Sequence, residues 1–293
     1  MDASAEPTPA PVTPEVARQT WRTLEPLHGM VYFAPEAAQA FAALGLEGQS
    51  GYFASRAAPM GPVAPATVVA TFFNFRPSLV AGAMAGVWET TSPEAVLAAR
   101  LGAADGALRR LLGDAVGSPE MGRAASLARR AAERAAERPE GRPLFAGHAG
   151  LPWPDEDHLV LWHAQTLLRE FRGDGHIAEL VAHGVDATEA VVLHEATGEL
   201  PAAFLRATRG WDDAEWDAAA SRLADRGWLA PGRPGDAPVL TAEGAAVRQA
   251  IEDGTDRAAV HPYGALGEEG CAELRRLARP FSRAVVGGGG LTP

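Results

Sequence analysis

Apolar and polar residues alternate along this chain mainly with the period of an α-helix. The clearest case is the run 159–176, LVLWHAQTLLREFRGDGH. Leu159, Trp162, His163, Thr166, Leu167 and Glu170 follow the spacing i, i+3, i+4, i+7, i+8, i+11. Leu161, Ala164, Leu168 and Phe171 cover the opposite face. A helix apolar on both faces is buried, so His163, Thr166 and Glu170 form a polar stripe that needs partners inside. Arg169 and Arg172 are the nearest cations. Gly173 is expected to end this helix, with Asp174 capping the next one and His176 at its start.

The rest of the pattern predicts a mainly α protein. Residues 14–45 read as helices, with Pro14 in a first turn and Pro26 as a kink or stop. The stretch 28–36 gathers aromatics with His28 and Glu36. Residues 52–65 read as a proline- and glycine-rich loop. Helices are expected over 68–75, 77–87 and 92–112, the last opened by Ser92 and Pro93. Residues 119–138, rich in Arg, Glu and Ala, predict a surface helix with a solvated charged face. A loop rich in proline and glycine follows, and a domain boundary is placed near Pro152.

Beyond it the punctuation is sharper. Asp186 with Glu189, and Asp212 with Glu215, each make an Asp-x-x-Glu capping box. They open helices that end at Gly198 and Gly227, with a short helix from Pro201 between them. Trp228-Leu229 and Val239-Leu240 read as two short strands around a Pro/Gly turn. Thr241 caps a helix over 242–260, and a last helix covers 268–286. The order helix, short helix, turn, helix, two-stranded wing is that of a winged helix-turn-helix. The expected organisation is a disordered tail over 1–13, an N-terminal helical domain over 14–151, a winged-helix domain over 152–287 and a flexible tail over 288–293.

Leu223, Arg226, Gly227, Leu240, Thr241 and Gly244 carry a resemblance to the winged-helix core of MarR-type regulators. It covers roughly residues 159–286 and implies a homodimer built by the terminal helices. The whole chain resembles an actinobacterial helix-turn-helix family through HGMVYF, LWHAQTLLREFRGDGH, LTAEG and the TDR at 255–257. That resemblance implies a fold and no particular activity. The 26 basic residues are all arginine, and with the Ala, Gly and Pro content this fits a GC-rich, actinobacterial-type genome.

The departures from the regulator pattern concern DNA. The start of the recognition helix meets bases and phosphates in such proteins. Here it carries Asp212, Asp213, Glu215 and Asp217, four carboxylates where phosphate binders place Arg or Lys. Asp212 and Glu215 are explained as caps, but their charge remains. The regulators' wing carries an Asp-x-Arg pair, whereas this chain has Gly235-Asp236-Ala237-Pro238. Arg206, Arg209, Arg222 and Arg233 are the candidate DNA contacts. A net charge of −11 demands a local basic face if DNA is bound at all.

At 293 residues and 47% hydrophobic, the chain is long enough for real cores. No stretch approaches the ~20 apolar residues of a membrane span, and the N-terminus lacks the basic and apolar regions of a signal peptide. The single cysteine, Cys271, excludes an internal disulfide and fits a reducing cytoplasm.

Three functional readings follow. The first is a regulator-derived protein that binds a small apolar or aromatic molecule, its DNA binding weakened by the acidic helix. Its candidate ligand residues are His28, Tyr32, Phe33, Phe73, Asn74, Phe75, Arg76, Trp162, His163 and Glu170. Residue by residue, the aromatics read equally well as core. The second is a working DNA-binding regulator. The third is an enzyme using His163, Glu170, Asp174 and His176 for acid–base chemistry, against the commoner role of hydrogen-bonded core histidines. A metal held by His163, Glu170, Asp174 and His176, with His28, is the weaker reading beside Arg–carboxylate pairing, because His163 and Glu170 stand ~10 Å apart along a helix. No cofactor is indicated, nor a nucleophile motif.

Overall fold

The computed structural model describes residues 11–291, and every structural statement below concerns them. Sixteen α-helices carry the chain. Seven of the first nine begin on a proline: α1 (Pro14–Gly29), α2 (Pro35–Ala42), α4 (Pro65–Thr71), α5 (Pro77–Met84), α7 (Pro93–Leu112), α8 (Pro119–Ala135) and α9 (Pro143–Ala149). Proline is pre-set for a first turn, where its missing N–H costs nothing. Between them lie α3 (Gln49–Ala57) and α6 (Val87–Thr90). Then come α10 (Asp157–Ala182), α11 (Ala187–Glu195), α12 (Ala202–Arg209) and α13 (Asp213–Asp225). The chain closes with α14 (Ala242–Ala258), α15 (Val260–Tyr263) and α16 (Gly267–Gly287). No helix is long and apolar enough to cross a membrane.

The long helix α10 is the axis. Its first half is buried on every side within the larger core, which also takes in α1, α7, α8 and α16. Its last residues, around Leu180, enter a smaller core formed by α11–α13, Trp228, Leu229 and Ile251 of α14. The surface helix expected over 119–138 is instead half interior. Met121, Ala124, Ala125, Ala128, Ala131, Ala132 and Ala135 of α8 are all buried, and α8 is the closest neighbour of α10. A stripe of alanines lets two helices approach closely although no large side chain marks the face.

The mainly α class stands, but the two-stranded wing does not. No strand occurs. Leu229 and Leu240 form an isolated antiparallel bridge, with Ala230 N donating to Val239 O at 2.9 Å and Thr241 N to Trp228 O at 3.0 Å. The reason lies in Pro231, Pro234 and Pro238. Proline has no N–H to give a ladder, so pairing cannot propagate into the loop. Gly173 does not end its helix either. α10 runs through Gly173 and Gly175 to Ala182. A Cβ on Gly175 would stand 2.7 Å from Nη1 of Arg142, so this glycine admits the guanidinium that binds Phe171 O and Ala258 O.

Of the tail expected over 1–13, residues 1–10 lie outside the described residues. Val12 is buried, and the Thr13 hydroxyl accepts from Val16 N to cap α1. Of the tail expected over 288–293, residues 292–293 also lie outside the described residues, while Leu291 packs on the larger core beside Gly29. The apolar face of α16, including Cys271, Leu274, Leu277, Phe281 and Val285, is buried within the chain against α1, α7 and α8.

Both capping boxes form as expected, at Asp186/Glu189 and Asp212/Glu215. The α11–α13 unit is tied to the N-terminal helices by the loop between α4 and α5. Arg76 N donates to Arg209 O at 2.9 Å, and Trp211 Nε1 donates to Asn74 O at 3.1 Å. The Arg76 side chain pairs with Asp212 and Glu215, each at 3.1 Å. Gly210, at φ +77°, turns the chain with no room for a Cβ against Leu79.

Candidate functional site

Where the two cores meet, a cavity of about 460 Å³ opens. Its floor is α10, from Arg169 to Leu180. Trp21 and Glu25 of α1 form one wall, and Tyr52 and Arg56 of α3 another. The Phe72–Phe75 loop closes a third side, and Val191, His194, Leu205 and Arg209 of α11 and α12 supply the roof. Aromatic rings share the wall with many charged side chains, so the lining is mixed rather than apolar.

Glu170 is the electrostatic hub. It is buried, with Arg169 Nη1 at 2.8 Å and Arg56 Nη2 at 3.4 Å. Arg169 Nε also reaches Glu25 at 3.0 Å. Burial alone would raise the Glu170 pKa, but Arg169 and Arg56 outweigh it and hold the carboxyl at about 2. Arg56 donates to Tyr52 Oη at 2.9 Å and lies over the Phe72 ring at 4.4 Å. Burial also opposes ionisation of Tyr52, yet the fields of Arg56, Arg169 and Arg209 hold its phenol below the usual value.

The hydroxyls assign the histidine tautomers. The Thr166 proton goes to Trp162 O, so Thr166 Oγ1 accepts from His28 Nδ1 at 2.9 Å. His28 Nε2 then accepts from Tyr32 Oη at 2.9 Å. The same logic holds at His176. Thr255 gives its proton to Ile251 O and accepts from His176 Nδ1 at 2.9 Å, which leaves Nε2 of this cavity residue as an acceptor.

The candidate ligand residues divide. Phe73, Asn74, Phe75 and Glu170 line the cavity. His28 and Trp162 are buried behind it, stacked at 6.3 Å. Tyr32 stands edge-on to Tyr52 at 5.3 Å, just outside the lining. Phe33 is half-buried away from the cavity, and Arg76 turns to the start of α13. His163 packs edge-on against Trp153 at 4.8 Å, its Nε2 without a partner. Of the four proposed catalytic residues, Glu170, Asp174 and His176 therefore share the cavity and His163 does not. Asp174 accepts from Phe145 N at 2.9 Å, at the start of α9. Burial raises its pKa to about 6.

The candidate DNA contacts are mostly engaged. Arg206 pairs with Glu195 and Asp213 and lies over Trp216 at 4.5 Å. Arg222 pairs with Asp186 and Glu189. Arg209 faces the cavity. Arg233 is exposed on the proline-rich loop. A metal-like grouping of Asp105, Glu156 and His158 also forms, but Arg109 binds both of its carboxylates.

Tyr52 and Arg56 escaped the sequence reading because residues 52–65 looked like loop. The signal was their i, i+4 spacing, which α3 turns toward α10. His148 also escaped it.

Burial makes a pH dependence legible. Desolvation lowers His148 to about 3, and His163 and His176 to about 4, from 6.5. The unfolded chain takes up protons near 6.5 that the folded chain refuses until about 4. Stability is therefore full above 6.5 and falls as the pH drops toward 4. Asp174, raised to about 6 from 3.8, works the other way over 6 to 3.8. Burial lowers His28, His194 and His261 as well and raises Glu25, so six imidazoles oppose two carboxyls and the melting temperature should be lower at pH 5 than at pH 7.5. Equal melting temperatures would show that these imidazoles are not desolvated.

No curated protein and no solved structure matches the chain. A family model does match, over residues 17–292, so the chain belongs to the Helix-turn-helix family.

Proposed function

We propose that this chain binds a small, partly aromatic molecule in the cavity between its two cores, and that its helix-turn-helix unit reads DNA weakly. The observation carrying the first part is the cavity itself, about 460 Å³, with Phe72, Phe73 and Phe75 on one side and α11 and α12 on the other. The outward face of α13 supports the second part. Its exposed or half-exposed charged side chains include Asp213, Asp217, Asp225 and Arg222, and Arg222 is already paired. Phosphates would meet net negative charge there.

Family membership favours a second reading, a DNA-binding regulator with the same cavity as its effector site. The enzyme reading keeps Glu170, Asp174 and His176 in the cavity and loses His163, which stands apart.

Calorimetry with naphthalene-2-carboxamide as a probe tests the cavity. Binding is expected to the wild type and to be lost in Ala190→Trp, where an indole on α11 would fill the space. Wild-type binding that survives Ala190→Trp would place the probe elsewhere. For DNA, selection from a random duplex pool at physiological salt should leave dissociation constants in the non-specific range, on the order of 10⁻⁴ to 10⁻⁶ M. Recovery of a nanomolar operator would establish the regulator reading instead.

A further inference from the structure

The charges around the cavity narrow the class of molecule that fits it, on the reading that the cavity is a ligand site. Seven arginines line it against five carboxylates. Four of the seven are firmly paired, and Arg22, which has no carboxylate partner among the described residues, is exposed. Arg172, Arg18 and Arg248 are held by Glu252 and Asp256. Arg169 spans Glu25 and Glu170. Arg56 then has only a share of Glu170, at 3.4 Å, while Arg169 is nearer at 2.8 Å. Behind it Arg100 is buried with no carboxylate at all. Its contacts are the Ser55 and Tyr32 hydroxyls, at 3.5 and 3.4 Å, and the rings of Tyr32 and Trp162. Three guanidiniums, those of Arg56, Arg100 and Arg169, thus stand within 5.7 Å of the Tyr32 ring centre.

Arg209 is the telling residue. It ends α12 and lines the roof of the cavity. Its Nη1 donates to the neighbouring Thr208 hydroxyl at 2.8 Å, its Nε is buried without a partner, and its guanidinium lies over the Phe75 ring at 4.7 Å. Among the described residues no carboxylate comes within ion-pair distance of it. A guanidinium stays ionised, and a desolvated cation without a counter-charge is unfavourable. The same interior that leaves this charge uncompensated sets three phenylalanines beside it.

We infer that the cavity takes an organic anion: a carboxylate head received by Arg209 and Arg56, on an aromatic body seated among Phe72, Phe73 and Phe75. The planar fork of Arg209 suits a carboxylate, and the second guanidinium adds charge from the opposite core. Binding in this way bridges α3 and α12. Arg209 O already accepts from Arg76 N, so an occupied site ties the helix-turn-helix unit more firmly to the α4–α5 loop.

The test compares naphthalene-2-carboxylate with naphthalene-2-carboxamide, which share shape and differ in charge, by calorimetry on the full chain at pH 7. The carboxylate is expected to bind at least about tenfold more tightly, the yield of one charge-assisted contact. Arg209→Gln is expected to weaken the carboxylate about tenfold and leave the carboxamide unchanged, so that only the share of the preference owed to Arg56 remains. Equal affinities in the wild type, or a preference undiminished in Arg209→Gln, overturns the anion assignment and leaves the cavity reading standing. If neither probe binds, both fall. Should Arg209→Gln fail to fold, the wild-type comparison decides alone, because equal affinities there already refute the assignment.

Discussion

Gly244→Ala is expected to cost about 3 kcal/mol, the upper end of ordinary overpacking, and to loosen the whole α11–α14 region. A Cβ at this position would stand 1.9 Å from Trp228 O, 2.7 Å from its carbonyl carbon and 3.0 Å from its Cα. These are backbone atoms, so no rotamer change relieves the clash. Nor can the Trp228 carbonyl move freely. It accepts from Thr241 N at 3.0 Å, and the Thr241 hydroxyl, which donates to Gly227 O at 2.6 Å, accepts from Gly244 N to cap α14. Shifting it would break the cap and the single β-bridge together, and would displace Trp228 and Leu229 from the smaller core. Gly254→Ala is the control. There the Cβ would meet the Glu179 carboxyl at 2.4 Å, the far end of a flexible side chain. That end can swing aside, and alanine is the better helix former by roughly 1 kcal/mol, so little net change is expected. Urea unfolding followed by tryptophan fluorescence reads both variants. Gly244→Ala within 0.5 kcal/mol of wild type, on the order of an ordinary surface change, would refute the argument.

That glycine was visible in the sequence only as part of LTAEG, and the contrast shows what a linear reading captures. Local devices were legible. The carboxylates of Asp186 and Asp212 cap their helices through contacts two or three residues away, and such contacts are written in the spacing. The mainly α class was legible for the same reason. What failed was judgement about segments whose structure depends on distant partners. Gly173 looked like a stop, but Asp174 is held by α9 and Gly175 makes room for Arg142. The two apolar pairs around residue 235 looked like strands, but the prolines between them leave one bridge. The alanines of α8 looked too small for a core, although smallness is what brings α8 onto α10. In the candidate site, the Phe73–Phe75 run and Glu170 were singled out in advance. Arg56 was not, because its partner Glu170 lies 114 residues away. Arg209 was read as facing DNA, since nothing local distinguishes a guanidinium turned outward from one turned into a cavity.

Glu170→Gln is the second substitution with a large expected effect, about 3 kcal/mol or more, because it breaks a buried ion pair from one side. Arg169 would keep Glu25, but Arg56, over the Phe72 ring and nearly sealed from water, would have no carboxylate left. The pH dependence separates this mechanism from lost packing. Desolvation opposes ionisation of Glu170, yet Arg169 and Arg56 bring its folded-state value to about 2 against the usual 4.5. A depressed carboxyl stabilises the fold fully above 4.5 and loses that contribution as the pH falls through 2. The glutamine variant has no such titration. The stability gap between wild type and variant should therefore narrow between 4.5 and the acid limit of folding; His163 and His176 cancel in the difference, while Asp174 and His148, whose titrations Glu170 shifts, add a smaller pH dependence of their own. Urea unfolding of both proteins at pH 7, 5 and 3.5 measures it, and a gap unchanged at 3.5 would mean that the carboxylate is not held by charge. A second substitution locates the cause. Adding Arg56→Leu to Glu170→Gln removes the stranded cation, so the double variant should be more stable than Glu170→Gln alone. If Arg56→Leu instead costs the same in both backgrounds, the two residues do not act as a pair, and the positive interior around Tyr32 must be balanced by something other than Glu170.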